Sequence, residues 1–465
     1  MNKNLVLIFA LALSSCYTPP QIYKPDGLFT VRNSINKLID ESRLETNIGI
    51  KAIYLSSGEA IFELNSKSLF NPASNNKLYT SLSAIAILDT SYVFKTSIYR
   101  DGNKIFLIGG GDPDLSLDEL DSLANIVATK YPSINEIILD DTIMDSLTYG
   151  PGWMWDEGDE WYSAQISALS VNDNCIDFII NPSTNGNLIN IETYPNSSYY
   201  TFLNQAYTVN DTVDFEKLKI TRDWKNNRNS FLITGSVMDT SSADTIIRNV
   251  DEPTDYAGHL FREMLIKKGL NIKKLDKGIY SNSGTEIATH YSKSLPSILE
   301  NLMVESDNLT AELLVKIIGY EYSQIEGNWQ NGLHAMKVFL NDKASLDTTS
   351  FSISDGSGVS RYNYSSANNF ISLLSWAYHN PEIRNNLLNI LSFTGEKGTL
   401  LDRGLPNGVY AKTGSLSGVS TFSGYILNPD KDPIAFSILM NGYKGSSLPF
   451  RELQDKIVSH LAEIK

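Results

Sequence analysis

Apolar residues recur at Leu28, Val31, Ile35, Leu38 and Ile39, a three-and-four spacing that predicts an amphipathic helix over 28–39. From Ile48 to Leu64 the pattern changes to alternation on either side of Ser56-Ser57-Gly58, which predicts a β-hairpin. A mostly apolar stretch from Ser74 to Leu88 follows Asn71-Pro72-Ala73 and predicts a helix opening at Ser74. The stretch from Tyr92 to His290 has a different texture. It holds a hairpin signal at Asp101-Gly102, a break at Gly109-Gly110-Gly111-Asp112-Pro113, and many short β-type runs with Asn and Ser turns. Helical spacing returns at Tyr256 to Lys268, and again beyond this stretch from Leu295 through Ile318. Toward the end, Val409 to Thr413, Ser420 to Leu427 and Ile434 to Met440 read as three consecutive strands. Phe450, Leu453, Ile457, Leu461 and Ile464 then place one apolar helix face against them. The two ends of the chain therefore build one α/β domain, and the middle is inserted into it.

A length of 465 residues supports two or three domains. Hydrophobic residues at 42% and charged residues at 20% describe an ordinary folded chain without repeats. The 38 basic and 53 acidic residues leave a formal charge of -15, which disfavours nucleic acid as a partner and describes a solvated surface. At the start, Lys3 and the apolar run Leu5 to Leu13 have the order of an export signal, too short to span a bilayer. Leu13-Ser14-Ser15-Cys16 follows, and it resembles the bacterial lipoprotein processing motif. That motif implies cleavage before Cys16, lipidation of its thiol, and attachment to a membrane through the lipid alone. The Pro-containing stretch Tyr17 to Asp26 is then a tether, residues 16–27 in all. Cys175 alone remains, so no intrachain disulfide or cysteine-held zinc is expected, and Cys175 reads as a small buried hydrophobe. His259, His290, His334, His379 and His460 show no metal-ligand spacing, and neither metal nor cofactor is expected.

Three short constellations carry the chemistry. Ser74 and Lys77 are three apart at a helix start, which puts both side chains on one face. A serine hydroxyl becomes a nucleophile when a neighbouring base takes its proton, and a lysine serves if its surroundings keep part of it neutral. The pattern alone is weak, because Ser34 and Lys37 match it too, and a serine at a helix start is ordinarily an N-cap. Ser306-Asp307-Asn308 lies between two helical runs, where a hydroxyl can pass a proton and an amide can hold a substrate backbone. Its ordinary reading is another cap, and Ser170-Val171-Asn172 is a second triplet of that kind. Lys412-Thr413-Gly414-Ser415 sits on the first C-terminal strand, where an extended peptide can pair with a strand edge and place a carboxylate on the cation and hydroxyl.

Together the three occur in the chain order of penicillin-recognising serine enzymes. The sequence resembles the D-alanyl-D-alanine carboxypeptidase and endopeptidase family, the low-molecular-mass class C penicillin-binding proteins. Pro72-Ala73-Ser74 with Lys77-Leu78, Gly150-Pro151-Gly152-Trp153-Met154-Trp155, Ser306 to Glu312, Asp355 to Arg361 and Ala411 to Tyr425 all resemble family segments. More than two hundred positions separate Ser74 from Ser306, and family members carry two extra domains in that gap.

The resemblance implies an α+β penicillin-binding/β-lactamase-like transpeptidase domain, an antiparallel sheet flanked by helices. Its expected bounds are 28–91 with 291–465, interrupted by one inserted domain over 92–166 with 250–290 and a nested one over 167–249. It implies that Ser74 attacks the D-Ala-D-Ala bond of peptidoglycan stem peptides and that Lys77 accepts its proton, although which lysine acts as base stays open. It assigns Ser306 to protonation of the leaving amine, Asn308 to the acyl peptide's amide, and Lys412 and Thr413 to the terminal carboxylate. Gly414 permits close approach, and the N–H groups of Ser74 and Ser415 form the oxyanion hole. Ser415 stands where the family more often has threonine. An acidic residue after the tryptophans, Asp156 or Glu157, meets the free amine of a diaminopimelate side chain, and Asp355 to Gly358 is a structural turn. β-Lactams are expected to acylate Ser74 and leave slowly, and the protein to reside at the periplasm-facing cell envelope. Two other readings use the same residues: a β-lactamase or esterase of this fold, and a lipoprotein that binds peptidoglycan without cleaving it.

Overall fold

The computed structural model describes residues 27–282 and 284–464; the export signal and the lipidation at Cys16 that the sequence leads one to expect lie outside them. A six-stranded sheet is the centre of the molecule. From one edge to the other run Ser392–Phe393, Val409–Leu416, Val419–Ile426, Ile434–Asn441, Asn47–Tyr54 and Ala60–Leu64, every neighbouring pair antiparallel. The N-terminal hairpin thus closes onto the C-terminal strands, with Ile50 opposite Ile438.

Alternation along each strand divides the side chains between two cores. On Ile434–Asn441, Phe436, Ile438 and Met440 enter the cluster under helices Gly27–Ser42 and Leu448–Ala462. Ala435 and Leu439 enter the cluster formed with helices Lys77–Leu88, Asn308–Ser323 and Ala367–His379. Because both faces are covered, Val419–Ile426 is buried along its whole length, and its polar residues find partners inside: Ser423 Oγ accepts from Asn75 Nδ2 at 2.6 Å, and Thr421 Oγ1 donates to Pro72 O at 2.8 Å.

The long middle of the chain builds other sheets. Lys274–Lys277, Glu136–Asp140, Lys104–Ile108, Lys95–Asp101 and Thr285–Tyr291 form a five-stranded sheet, covered by helices Leu117–Lys130 and Pro253–Lys267. Three smaller sheets arise between Cys175 and Asn249, among them Thr201–Asn204, Lys219–Arg222 and Ser230–Thr234. Cys175 is buried among these residues, and burial raises its thiol pKa well above the ordinary value, as expected of an inert sulfur.

One local element differs from the sequence expectation in a way that matters for chemistry. The stretch expected to be helical from Ser74 opens as a tighter 3-10 turn, Ala73–Asn76, and α-helix begins at Lys77. Ala73 has φ 45°, Asn71 Oδ1 accepts its N–H at 2.9 Å, and Asn75 N–H closes onto Pro72 O. The turn therefore holds Ser74 ahead of the helix. Among the described residues no helix is long and apolar enough to cross a membrane.

Candidate active site

Segments far apart in sequence meet beside the Val409–Leu416 strand. They line a cleft of about 400 Å³ that includes Ser74, Ser306, Asn308, Thr413, Gly414 and Ser415, together with Glu157, Trp161, Tyr162, Arg361 and Thr399. Lys77 and Lys412 lie just beneath its surface, each fully buried.

Lys77 Nζ has three partners: Ser74 Oγ at 3.0 Å, Asn308 Oδ1 at 2.6 Å and the Ser357 carbonyl at 2.9 Å. Asn308 Nδ2 donates to Tyr162 O at 2.8 Å, so its oxygen is the atom turned toward the lysine. Two of the three partners are therefore pure acceptors. A neutral amine has two N–H donors and one lone pair, so donating to both acceptors leaves the lone pair facing the Ser74 hydroxyl. Burial lowers the Lys77 pKa from 10.5 to about 8, opposed by the charges of Asp307, Asp355 and Glu312.

Each partner is held in turn. Asp307 caps helix Asn308–Ser323, accepting from Leu309 N and Thr310 N at 3.0 and 2.8 Å, which fixes Asn308 at the helix start. Ser306, just before the cap, takes the left-handed conformation with φ 63°, a costly one for a residue with a Cβ. It points its hydroxyl at Lys412 Nζ, 2.9 Å away, and that amine also meets Thr413 O at 3.1 Å. Burial, and then the charge of Lys77, pushes the Lys412 pKa well below 10.5. Thr413 Oγ1 donates to Thr399 Oγ1 at 2.9 Å on the cleft wall.

Two glycines allow these segments to close up. A Cβ on Gly414 would sit 2.8 Å from Ser74 N, and one on Gly358, where φ is +93°, would sit 1.9 Å from Ala73 O. Side chains other than glycine would drive the strand or the 355–360 turn away from the serine. That turn is organised by Asp355, which accepts from Gly358 N at 2.9 Å, Asn363 Nδ2 at 2.7 Å and Trp153 Nε1 at 3.0 Å.

Sequence reasoning missed Glu312. It lies one turn beyond Asn308, fully buried, and accepts from Ser357 N and Trp329 Nε1, both at 2.7 Å, and from Gly356 N at 3.0 Å. It thereby anchors the peptide whose carbonyl binds Lys77. Burial and the nearby Asp355 raise its pKa to about 7. Its spacing from Asn308 was visible, but its partners are the Trp329 side chain and two backbone N–H groups more than forty positions away.

Of the two acidic candidates, Glu157 lines the cleft with Arg361, and burial raises its pKa. Asp156 is exposed and does not line it. The competing match, Ser34 with Lys37, lies on the first helix, with Lys37 exposed and 3.6 Å from Glu41. Ser74 is not an N-cap, since no side-chain cap hydrogen bond is made at the start of its turn or of the helix after it. Among the described residues no group of three or more His, Cys, Asp and Glu is placed to hold a metal ion.

Comparison with known proteins agrees with this architecture. The family model described as D-Ala-D-Ala carboxypeptidase 3 (S13) matches residues 31–464. The chain is 31% identical to the D-alanyl-D-alanine carboxypeptidase of Actinomadura sp. (strain R39), over 99% of this chain and 90% of that one. It is 26% identical to the D-alanyl-D-alanine carboxypeptidase DacB of Haemophilus influenzae, over 87% of each. The crystal structure of penicillin binding protein 4 from Haemophilus influenzae superposes with a TM-score of 0.81 at 23% identity, covering 92% of this chain and 99% of that one. At that identity the superposition establishes the fold.

Proposed function

Because the chain belongs to the D-Ala-D-Ala carboxypeptidase 3 (S13) family, we propose that it hydrolyses the terminal D-alanyl bond of peptidoglycan stem peptides through an acyl-enzyme on Ser74. The observation that carries this reading is the Lys77 amine, buried, 3.0 Å from Ser74 Oγ, with both of its other partners acceptors. Lys77 takes the hydroxyl proton as Oγ attacks the carbonyl. The oxyanion forms against the N–H groups of Ser74 and Ser415, where Gly414 lets the strand approach. Ser306, backed by Lys412, delivers a proton to the departing amine, and Thr413 with Lys412 receives the terminal carboxylate. Water then attacks the acyl-enzyme and frees Ser74.

Asn308 has one amide edge occupied by Lys77 and Tyr162, so its contact with substrate is made from the cleft-facing side. Glu157, on the wall beside Arg361, meets a free side-chain amine at the third stem residue, and Asp156 stays in solvent. Cleavage of the cross-link between two stems belongs to the same reading, because it breaks the same type of bond with a larger leaving group. β-Lactams acylate Ser74 by the same route. The hydrophobic cluster of the middle of the chain supports its separation from the catalytic domain, and its separate sheets support the further division into an inserted and a nested domain, although one cluster runs through both. The export signal and the Cys16 motif support a lipid-anchored protein facing the periplasm, where this substrate is found.

The test is product analysis. Purified protein is expected to release D-alanine from a stem-peptide mimic, and a cross-linked dimer assayed alongside reports the endopeptidase share. No release of D-alanine from the stem-peptide mimic together with no cleavage of the cross-linked dimer into its two stems would favour a binding lipoprotein, and rapid turnover of penicillin would favour a β-lactamase.

A further inference from the structure

Beyond the cleft lies an aromatic surface that the peptide chemistry does not use. Trp155 is 73% exposed, on the 3-10 turn Trp155–Glu157 whose last residue lines the cleft. Its ring meets that of Trp224 with centroids 5.3 Å apart and planes at 52°, an open corner rather than a closed stack. Trp224 comes from the separate segment Trp224–Asn226 and packs against Gly158, where a Cβ would lie 2.7 Å from its ring. From Trp224 a groove of about 530 Å³ continues along Leu203 and Leu232, with Asp223 and Lys225 on its rim. Trp161, also exposed, lines the cleft itself.

Exposed indoles offer a flat apolar face with a polar edge, and contiguous patches of this kind mark binding sites. The substrate class read for the cleft is a glycopeptide, so its sugars must lie within a stem's length of Ser74. Four extended residues between the scissile carbonyl and the sugar span roughly 13–14 Å. Glu157 sits on the cleft wall, and Trp155 is two residues before it. A sugar ring would stack its C–H face on an indole, with its hydroxyl and acetamido groups beside Lys225, whose Nζ lies 5.6 Å from the Trp224 ring centroid, and Asp223, which accepts from Asn226 Nδ2 at 2.7 Å. The ligand is uncharged, so the formal charge of -15 does not repel it.

We propose that Trp155 and Trp224 form a platform for the glycan strand of the substrate polymer while its stem peptide occupies the cleft. The proposal rests on the peptidoglycan reading given above. It is tested with Trp224→Ala and the double variant Trp155→Ala/Trp224→Ala in the full chain, on a sugar-free stem peptide and on the same stem attached to glycan. Expected for the double variant are peptide hydrolysis and β-lactam acylation within twofold of wild type. Its kcat/KM on the glycan-linked substrate should fall about tenfold, mainly through KM. In parallel, an N-acetylglucosamine oligosaccharide without peptide should change the tryptophan fluorescence of wild type and leave the double variant unchanged. Equal losses on both substrates would mean that the pair only supports the turn carrying Glu157, and would overturn the proposal. Unchanged kinetics on the glycan-linked substrate would overturn it too, and would leave the groove to a protein partner. A wild type that neither binds β-lactam nor releases D-alanine would sink the catalytic reading instead, while the oligosaccharide titration would still decide the platform.

Discussion

If Lys77 is the base, the acylation rate must follow its neutral fraction. With a pKa lowered to about 8, roughly one molecule in ten carries the neutral amine at pH 7, whereas at the ordinary 10.5 only about one in three thousand would. Burial in this pocket is therefore worth roughly 300-fold in active enzyme at neutral pH, on the order of 3 kcal/mol. The sign follows from the chemistry: protonation occupies the lone pair that faces Ser74, so activity is lost as pH falls. The assay is the second-order rate constant for acylation by a fluorescent β-lactam between pH 6 and 10. Below about 8 the rate should rise about tenfold per pH unit, and above it the rate should level off. Lys77→Arg keeps a cation that does not deprotonate, so its rate should fall more than about a thousandfold and not recover at high pH. A rate independent of pH from 6 to 9, or a rise that continues beyond pH 10, would refute the assignment.

Three further outcomes follow from the same contacts. Asn308→Ala removes the 2.6 Å acceptor of Lys77 and leaves the Tyr162 carbonyl without its donor. At about 1–3 kcal/mol for such a loss, stopped-flow acylation should slow roughly 5- to 150-fold while circular dichroism stays native. Glu312→Gln puts an amide N–H₂ where buried backbone N–H groups need an acceptor, so urea unfolding should report about 1–3 kcal/mol less stability; an unchanged midpoint would contradict the anchoring role. Glu157→Gln should reduce the preference for a stem peptide with a free side-chain amine over its acetylated form, by about tenfold in kcat/KM; an unchanged ratio would remove Glu157 from recognition.

The chain's periodicities place its elements well where burial is one-sided or complete. The terminal helix followed from Phe450, Leu453, Ile457 and Leu461, all buried. The strand Ile434–Asn441 followed from its apolar run. Local spacing did not separate Ser74 from its rival, because Ser34 with Lys37 and Ser74 with Lys77 are the same pattern until packing leaves one lysine exposed and the other buried. Convergence was not legible. Nothing in the order of residues tells that the Ser357 carbonyl meets Lys77, since that contact depends on a turn held by Asp355 and Glu312 through backbone N–H groups. Nor could the choice between Asp156 and Glu157 be read, because they are neighbours in a short turn and only its orientation sends one into the cleft. The left-handed residues Ala73 and Ser306 carry no sequence signal of their own, since neither alanine nor serine advertises that conformation.

The account turns on Ser74 as nucleophile. Intact-mass measurement after brief exposure to benzylpenicillin, followed by peptide mapping, tests this directly. It should show one adduct per chain, on the peptide containing Ser74, and none in Ser74→Ala. An adduct on another residue, or labelling that survives in the Ser74→Ala protein, would contradict it.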